Sequence, residues 1–127
     1  MNEPTRPVGE VAAHLGINAE TLRYYERRHV LPPPARDGAG RRVYREADVH
    51  LIEVLLHLRD TGMPLAQIAE FTRLVASDPD GVPERLHLLQ EHRAHVIHTL
   101  EQLTQALAVI DQKITDYTHR AASHRYQ

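Results

Sequence analysis

The chain contains no cysteine in its 127 residues. With no thiolate it cannot build a disulfide framework, a cysteine-ligated zinc site, an iron–sulfur cluster or a cysteine nucleophile. No run reaches the ~18 apolar residues of a membrane-spanning helix, and no charged leader precedes an apolar stretch. A cytoplasmic protein without membrane contact is therefore expected. Catalytic signatures are missing as well: there is no G-x-S-x-G turn and no phosphate-binding glycine loop. The segment around His92 and His95 lacks the glutamate that H-E-x-x-H places between its histidines. Neither an enzyme activity nor a cofactor is expected. Overall charge is slight, −2, so any basic surface has to be a local one.

A local one is present. Residues 8–31, VGEVAAHLGINAETLRYYERRHVL, read as two short helices joined by a glycine turn. Ala12 suits the crossing of the two helices, and Gly16 can take the positive φ of the turn. Asn18 is a good N-cap for the second helix. Val8, Val11, Leu15, Ile17 and Leu22 supply apolar faces, and Tyr25 falls on the core side. Arg23, Tyr24 and Arg27 remain free to project outward, as a helix-turn-helix requires of the helix it lays in the DNA major groove.

The proline run Pro32–Pro34 stops the helix. The glycine-rich tip Asp37–Gly40 and the segment Arg41–Arg45 then suggest a small two-stranded wing, with Val43 alternating with polar neighbours. From Arg23 to Arg45 seven arginines face two acids, Glu26 and Asp37. Such an excess suits phosphate binding, because arginine releases condensed counterions from DNA. Tyr24 and Tyr44 could hydrogen-bond phosphates or stack on sugar and base edges, or could cap a core beneath a solvated basic loop. The candidate DNA contacts are thus Asn18, Thr21, Arg23, Tyr24, Arg27, Arg41, Arg42 and Tyr44.

The succession TLRYYE, LPPP, GRRVYR, ADV-x-LI and GMPLAQI resembles the MerR family of bacterial transcription regulators over roughly residues 8–75. The resemblance implies that Arg23, Tyr24, Arg42 and Tyr44 contact promoter operator DNA. It also implies a second helical hairpin acting as another wing and an antiparallel coiled coil joining two subunits. Further implications are an effector and action with RNA polymerase through bending and undertwisting of the promoter. One position departs from the family pattern: His29 stands where glycine usually follows the recognition helix. Histidine enters the left-handed region more readily than most residues, so the turn can survive at some cost.

Further on, Arg45–Thr61 reads as a helix with Val49, Ile52, Leu55, Leu56 and Arg59 at helical spacing, stopped by Gly62. Pro64 opens another, with Leu65, Ile68, Ala69, Phe71 and Leu74 buried. The cluster Ser77–Gly81 is the expected hinge. After it, Val82, Leu86, Leu89, Arg93, Val96, Leu100, Leu103, Leu107, Ile110, Ile114 and Tyr117 recur at alternating steps of three and four. Such a helix is roughly 54 Å long, and an apolar stripe of that length calls for another helix. A homodimer is expected on Leu86, Leu89, Val96, Leu100, Leu103, Leu107, Ile110 and Ile114, which suits an inverted-repeat operator. Arg93 interrupts the stripe; it marks a divergence of the helices or pairs with an acid such as Glu91 or Glu101 of the partner.

His92, His95 and His98 stand three apart on this helix, the spacing at which two imidazoles could share a zinc ion. Solvated histidines are the plainer reading, and no metal is assigned. Histidines near the hinge could also make affinity depend on pH. The expected architecture is mainly α: a winged helix-turn-helix domain over 1–76, a hinge over 77–81, a coiled-coil helix over 82–118 and a flexible tail over 119–127. The expected function is a homodimeric, sequence-specific transcription regulator with a small-molecule effector as candidate partner. The alternatives are an adaptor whose coiled coil binds another protein, and a histidine-based zinc sensor.

Overall fold

The computed structural model describes residues 4–125. It contains β1 (Thr5–Pro7), α1 (Val8–Leu15), α2 (Ala19–Arg27), β2 (Ala35–Arg36), β3 (Arg42–Arg45), α3 (Glu46–Asp60), α4 (Leu65–Ala76) and α5 (Val82–Arg125). Two compact units divide the chain, Met1–Leu89 and Gln90–Gln127.

Three helices of the first unit end in the same way. Gly16 takes φ 71°, and the amides of Gly16 and Ile17 donate to the carbonyls of Ala13 and Ala12 at 3.3 and 3.1 Å. Gly62 repeats this with φ 98°, the Gly62 amide on Arg59 and the Met63 amide on Leu58. His29 does the same without being glycine: φ is 58°, with His29 N–H on Glu26 at 3.1 Å and Val30 N–H on Tyr25 at 2.9 Å. Each left-handed residue and the apolar residue after it together satisfy two orphan carbonyls, and the apolar side chain turns inward. The expected strained turn at His29 is therefore present.

The wing is one strand larger than expected. β3 lies in the centre of a three-stranded antiparallel sheet in the order β1-β3-β2. Thr5, Arg6 and Pro7 pair with Arg45, Tyr44 and Val43, while Ala35 and Arg36 pair with Val43 and Arg42. Pro7 sits at the end of an edge strand, where its missing N–H breaks no ladder bond, and it also precedes the first turn of α1.

Val11, Leu22, Val49, Ile52, Leu55 and Ile68 are the largest side chains fully enclosed in the core. Phe71, Leu74 and Tyr25 are buried beside them, while Leu65 and Ala69 are only half-buried. Two polar links fix α2 to the helices behind it. The Arg59 guanidinium donates to the Tyr25 hydroxyl at 2.9 Å and lies 5.7 Å from that ring's centre. The buried Thr72 hydroxyl donates to the Val30 carbonyl at 2.6 Å. Pro64 is the residue before α4 rather than its first residue.

The segment 77–81 is a packed turn. Gly81 is buried, and a Cβ placed there would lie 2.1 Å from the Leu74 carbonyl oxygen. Asp78 pairs with Arg85 across the turn.

α5 runs on to Arg125, so residues 119–125 are helical and not the expected tail; Tyr126 and Gln127 lie outside the described residues. No glycine or proline interrupts the helix after Pro83. Thr118 bonds back to the Ile114 carbonyl, Arg120 covers the Tyr117 ring, and His124 and Arg125 complement the negative helix end. Leu86, Leu89, Leu100, Leu103, Leu107, Ile110, Ile114 and Tyr117 are all exposed in the single chain, with Leu103 at 61%, whereas Val96 is half-buried. No helix among the described residues is long and apolar enough to cross a membrane.

Candidate nucleic-acid interface

The N-terminus of α2 is set by its cap. The Asn18 side-chain oxygen accepts from the Thr21 amide at 2.8 Å and the Thr21 hydroxyl at 2.9 Å, satisfying an otherwise orphan donor of the first turn. These two candidate contact residues therefore act first on each other. One turn on, Arg23 pairs with Glu20 on the same helix face. Tyr24 is 43% exposed, with the Arg28 guanidinium 5.9 Å from its ring centre. Arg27 is exposed at the helix end. Tyr25 turns into the core, as expected of the neighbour of an outward residue.

The wing tip is organised by Asp37. Its carboxylate accepts from the Ala39 and Arg41 amides, each at 2.9 Å, and from Arg41 Nε at 3.2 Å. The Arg41 amide is the main reason its carboxyl is held below the ordinary carboxylate range. Across the strand pair, Arg36 donates to the Gly40 carbonyl at 2.9 Å. The tip is thus a closed, self-satisfied turn that presents its arginines outward.

Arg42 joins the wing to α2. Its Nε donates to Glu26 Oε2 at 2.7 Å, and the two side chains are 22% and 19% exposed. This hydrogen bond to Glu26 raises the guanidinium pKa further, so Arg42 is permanently charged. Side chains two apart on a strand share a face, so Tyr44 turns the same way as Arg42 and enters the core at 4% exposure. Of the readings open for Tyr44, this burial favours a ring that caps the core over one that stacks on DNA. Burial raises its hydroxyl pKa, in a field to which Glu26, Arg42, Arg23 and Arg36 contribute.

Between α2 and the wing lies a notch of about 670 Å³, floored by Pro7, Val8 and Val43 and rimmed by Arg23, Arg36, Arg41 and Arg42. Four arginines and one acid, Asp37, line it; Arg41 pairs with Asp37, while Arg23 and Arg42 pair with Glu20 and Glu26. Such a surface offers planar, forked donors to phosphate oxygens. Arg23, Arg41 and Arg42 are among the residues expected to contact DNA, whereas Arg36 joins them only through its place on this rim. Its position just before the Asp37–Gly40 turn is the signal the sequence holds, and the strand register sets it opposite Arg42.

The histidines form no comparable cluster. The rings of His92 and His95 lie 6.3 Å apart, and burial together with His95 lowers the His92 pKa. Among the described residues no group of three His, Cys, Asp or Glu side chains could hold a metal ion.

The family described as MerR HTH family regulatory protein matches residues 6–74, and the one described as MerR, DNA binding matches residues 49–119. An uncharacterized HTH-type transcriptional regulator of Haemophilus influenzae is 30% identical over 113 residues, covering 89% of this chain and 84% of its own length. The HTH-type transcriptional regulator AdhR of Bacillus subtilis is 34% identical over 90 residues, covering 71% of this chain and 64% of that protein. Among solved structures, HiNmlR, a MerR family regulator lacking the sensor domain and bound to promoter DNA, superposes with a TM-score of 0.86 at 29% identity and covers 94% of each chain.

Proposed function

This chain is a DNA-binding transcription regulator of the MerR family, and from that premise we propose that it acts as a homodimer on an inverted-repeat promoter operator. The observation that carries this reading is the four-arginine notch between α2 and the wing. α2 lies in the major groove with Tyr24 and Arg27 outward, while Arg23, Arg36, Arg41 and Arg42 take the flanking phosphates. Asn18 and Thr21 sit at the helix start, where residues of a recognition helix reach base edges. The exposed stripe of α5 supports pairing with a second copy, because an apolar face of that length is unfavourable in water.

Two heads held by one dimer grip one operator from both halves, so bending the site between them costs on the order of 1–6 kcal/mol, offset by phosphate contacts on both wings. A small-molecule effector and RNA polymerase complete the regulatory reading, which assigns no catalytic residue. HiNmlR, which matches over 94% of each chain and is bound to promoter DNA, supports promoter binding by this chain.

A DNase footprint of the purified protein on the DNA upstream of its own gene tests the proposal. Protection of an inverted repeat with a hypersensitive centre is expected. Absence of protection at low salt, where non-specific binding also registers, overturns it in favour of an adaptor whose α5 binds another protein.

A further inference from the structure

The α5 stripe contains one polar position, Arg93, and its flanks contain one acid. In heptad terms Arg93, Leu100, Leu107 and Ile114 occupy a positions, and Leu89, Val96, Leu103, Ile110 and Tyr117 occupy d positions. The positions beside the stripe are Gln90, Ile97, Thr104, Asp111 and Thr118 on one edge, and Arg85, His92, Thr99, Ala106, Lys113 and Arg120 on the other. Glu84, Glu91, Glu101 and Asp116 all lie on the outer surface, so Asp111 is the sole acidic flank. Neither the Arg93 nor the Asp111 side chain has a partner among the described residues, and both are exposed.

Taking the antiparallel pairing of two α5 helices that the family resemblance implies, we infer that its register is fixed by Arg93 meeting the partner's Asp111. This rests on the homodimer reading and specifies its interface. In that register Leu86 faces the partner's Tyr117, Leu89 its Ile114, Arg93 its Ile110, Val96 its Leu107, and Leu100 its Leu103. The two-fold axis passes between Glu101 and Gln102. Every stripe position from Leu86 to Tyr117 is matched by an a-to-d layer, with none left over.

Competing arrangements lack this match. A parallel, in-register pair sets Arg93 against Arg93, two like charges in an apolar seam. Sliding the antiparallel pair by one heptad sets Arg93 opposite the partner's Leu103 or Tyr117, beside Thr104 or Thr118. No acid is then in reach, and stripe residues at one end lose their partners. The other acids are too distant in the favoured register. With Arg93 opposite residue 110, the partner's Glu101 is about 13 Å and its Glu91 about 28 Å along the axis. The guanidinium passes Ile110 by its aliphatic stem and meets Asp111 at the solvated edge, which leaves no charge stranded in the seam. One basic seam position and one acidic flank, used twice by symmetry, thus fix the register.

The cysteine-free chain makes the test direct. Full-length Val96→Cys protein is mixed with Leu107→Cys, Leu100→Cys or Ile114→Cys protein, oxidised and resolved on a non-reducing gel. A disulfide-linked dimer is expected for the Leu107→Cys mixture alone. Linkage with Leu100→Cys or Ile114→Cys, or of Val96→Cys with itself, overturns the register. In parallel, Arg93→Asp or Asp111→Arg raises the dimer dissociation constant by about tenfold, and the double exchange restores it to within about threefold. A double exchange that recovers nothing overturns the pair. Sedimentation separates this from the reading beneath it. Wild-type protein that remains monomeric at micromolar concentration sinks the homodimer, whereas a wild-type dimer with the wrong cross-links sinks only the register.

Discussion

Arg42 of the wing and Glu26 of the recognition helix hold each other across the notch, Nε to Oε2 at 2.7 Å, sixteen residues apart in the chain. The pair ties the orientation of the wing to that of α2, so in the proposed complex a phosphate taken by Arg42 would be held in register with α2. Arg42→Ala should weaken binding to operator and random DNA alike and lower the slope of log affinity against log salt by about one. Glu26→Gln should instead strengthen binding to random DNA, by removing an acid from the interface, while narrowing the gap between operator and random sequence. Titrations over a salt series check both. An unchanged slope in Arg42→Ala would make that arginine a brace only.

The histidine at the end of α2 does the work that Gly16 and Gly62 do elsewhere, at φ 58°. A non-glycine residue in the left-handed region costs roughly 1–2 kcal/mol, part of which glycine returns in the entropy of its unfolded chain. His29→Gly should therefore stabilise the protein by about 1 kcal/mol and raise Tm by about 3–6 °C. Operator affinity should not change. A loss of affinity alongside higher stability would assign His29 a contact with DNA.

Much of this fold is legible in the sequence because its signals are local. The glycine turn, the Asn18 cap, the Gly62 stop and the heptads of α5 each occupy a few neighbouring residues or a fixed period. The strand Thr5–Pro7 is not legible, since three residues without alternation are ordered only by β3, far along the chain. Alternation about Val43 suggests the wing but leaves open which face of β3 is enclosed, and Tyr44 is the buried residue. With strands on both sides of β3, the face toward α2 is the enclosed face, and nothing within the segment says so. The apolar stripe ends at Tyr117, but helix termination needs its own signal and none follows, so α5 continues to Arg125. At the interface the charge excess located the arginines, but the pairing of Arg42 with Glu26 depends on tertiary packing.

Thr72 makes the deepest polar link behind the recognition helix, its hydroxyl donating to the Val30 carbonyl at 2.6 Å. Thr72→Val keeps the shape and leaves that carbonyl without its donor, which costs about 1–3 kcal/mol in a buried setting. The expected result is a lower urea midpoint with an unchanged m value, since the surface exposed on unfolding stays the same. An unaltered midpoint would mean that Val30 is satisfied by water and that the link does not brace α2.

Leu103 lies beside the proposed two-fold axis and is more than half exposed in the single chain, so a charge there meets no packed neighbour in the protomer. Leu103→Asp should consequently spare the fold of the DNA-binding unit while placing two carboxylates in the central layers of the dimer. Burying an unpaired carboxylate costs several kcal/mol, enough to shift a micromolar dimer to monomer at ordinary concentrations. Sedimentation should give half the wild-type mass. Operator affinity should fall by at least about 100-fold, because one head alone makes only half the contacts. Weak, salt-sensitive binding to random DNA should persist through the arginine notch. A variant that stays dimeric would show that the stripe is not the interface.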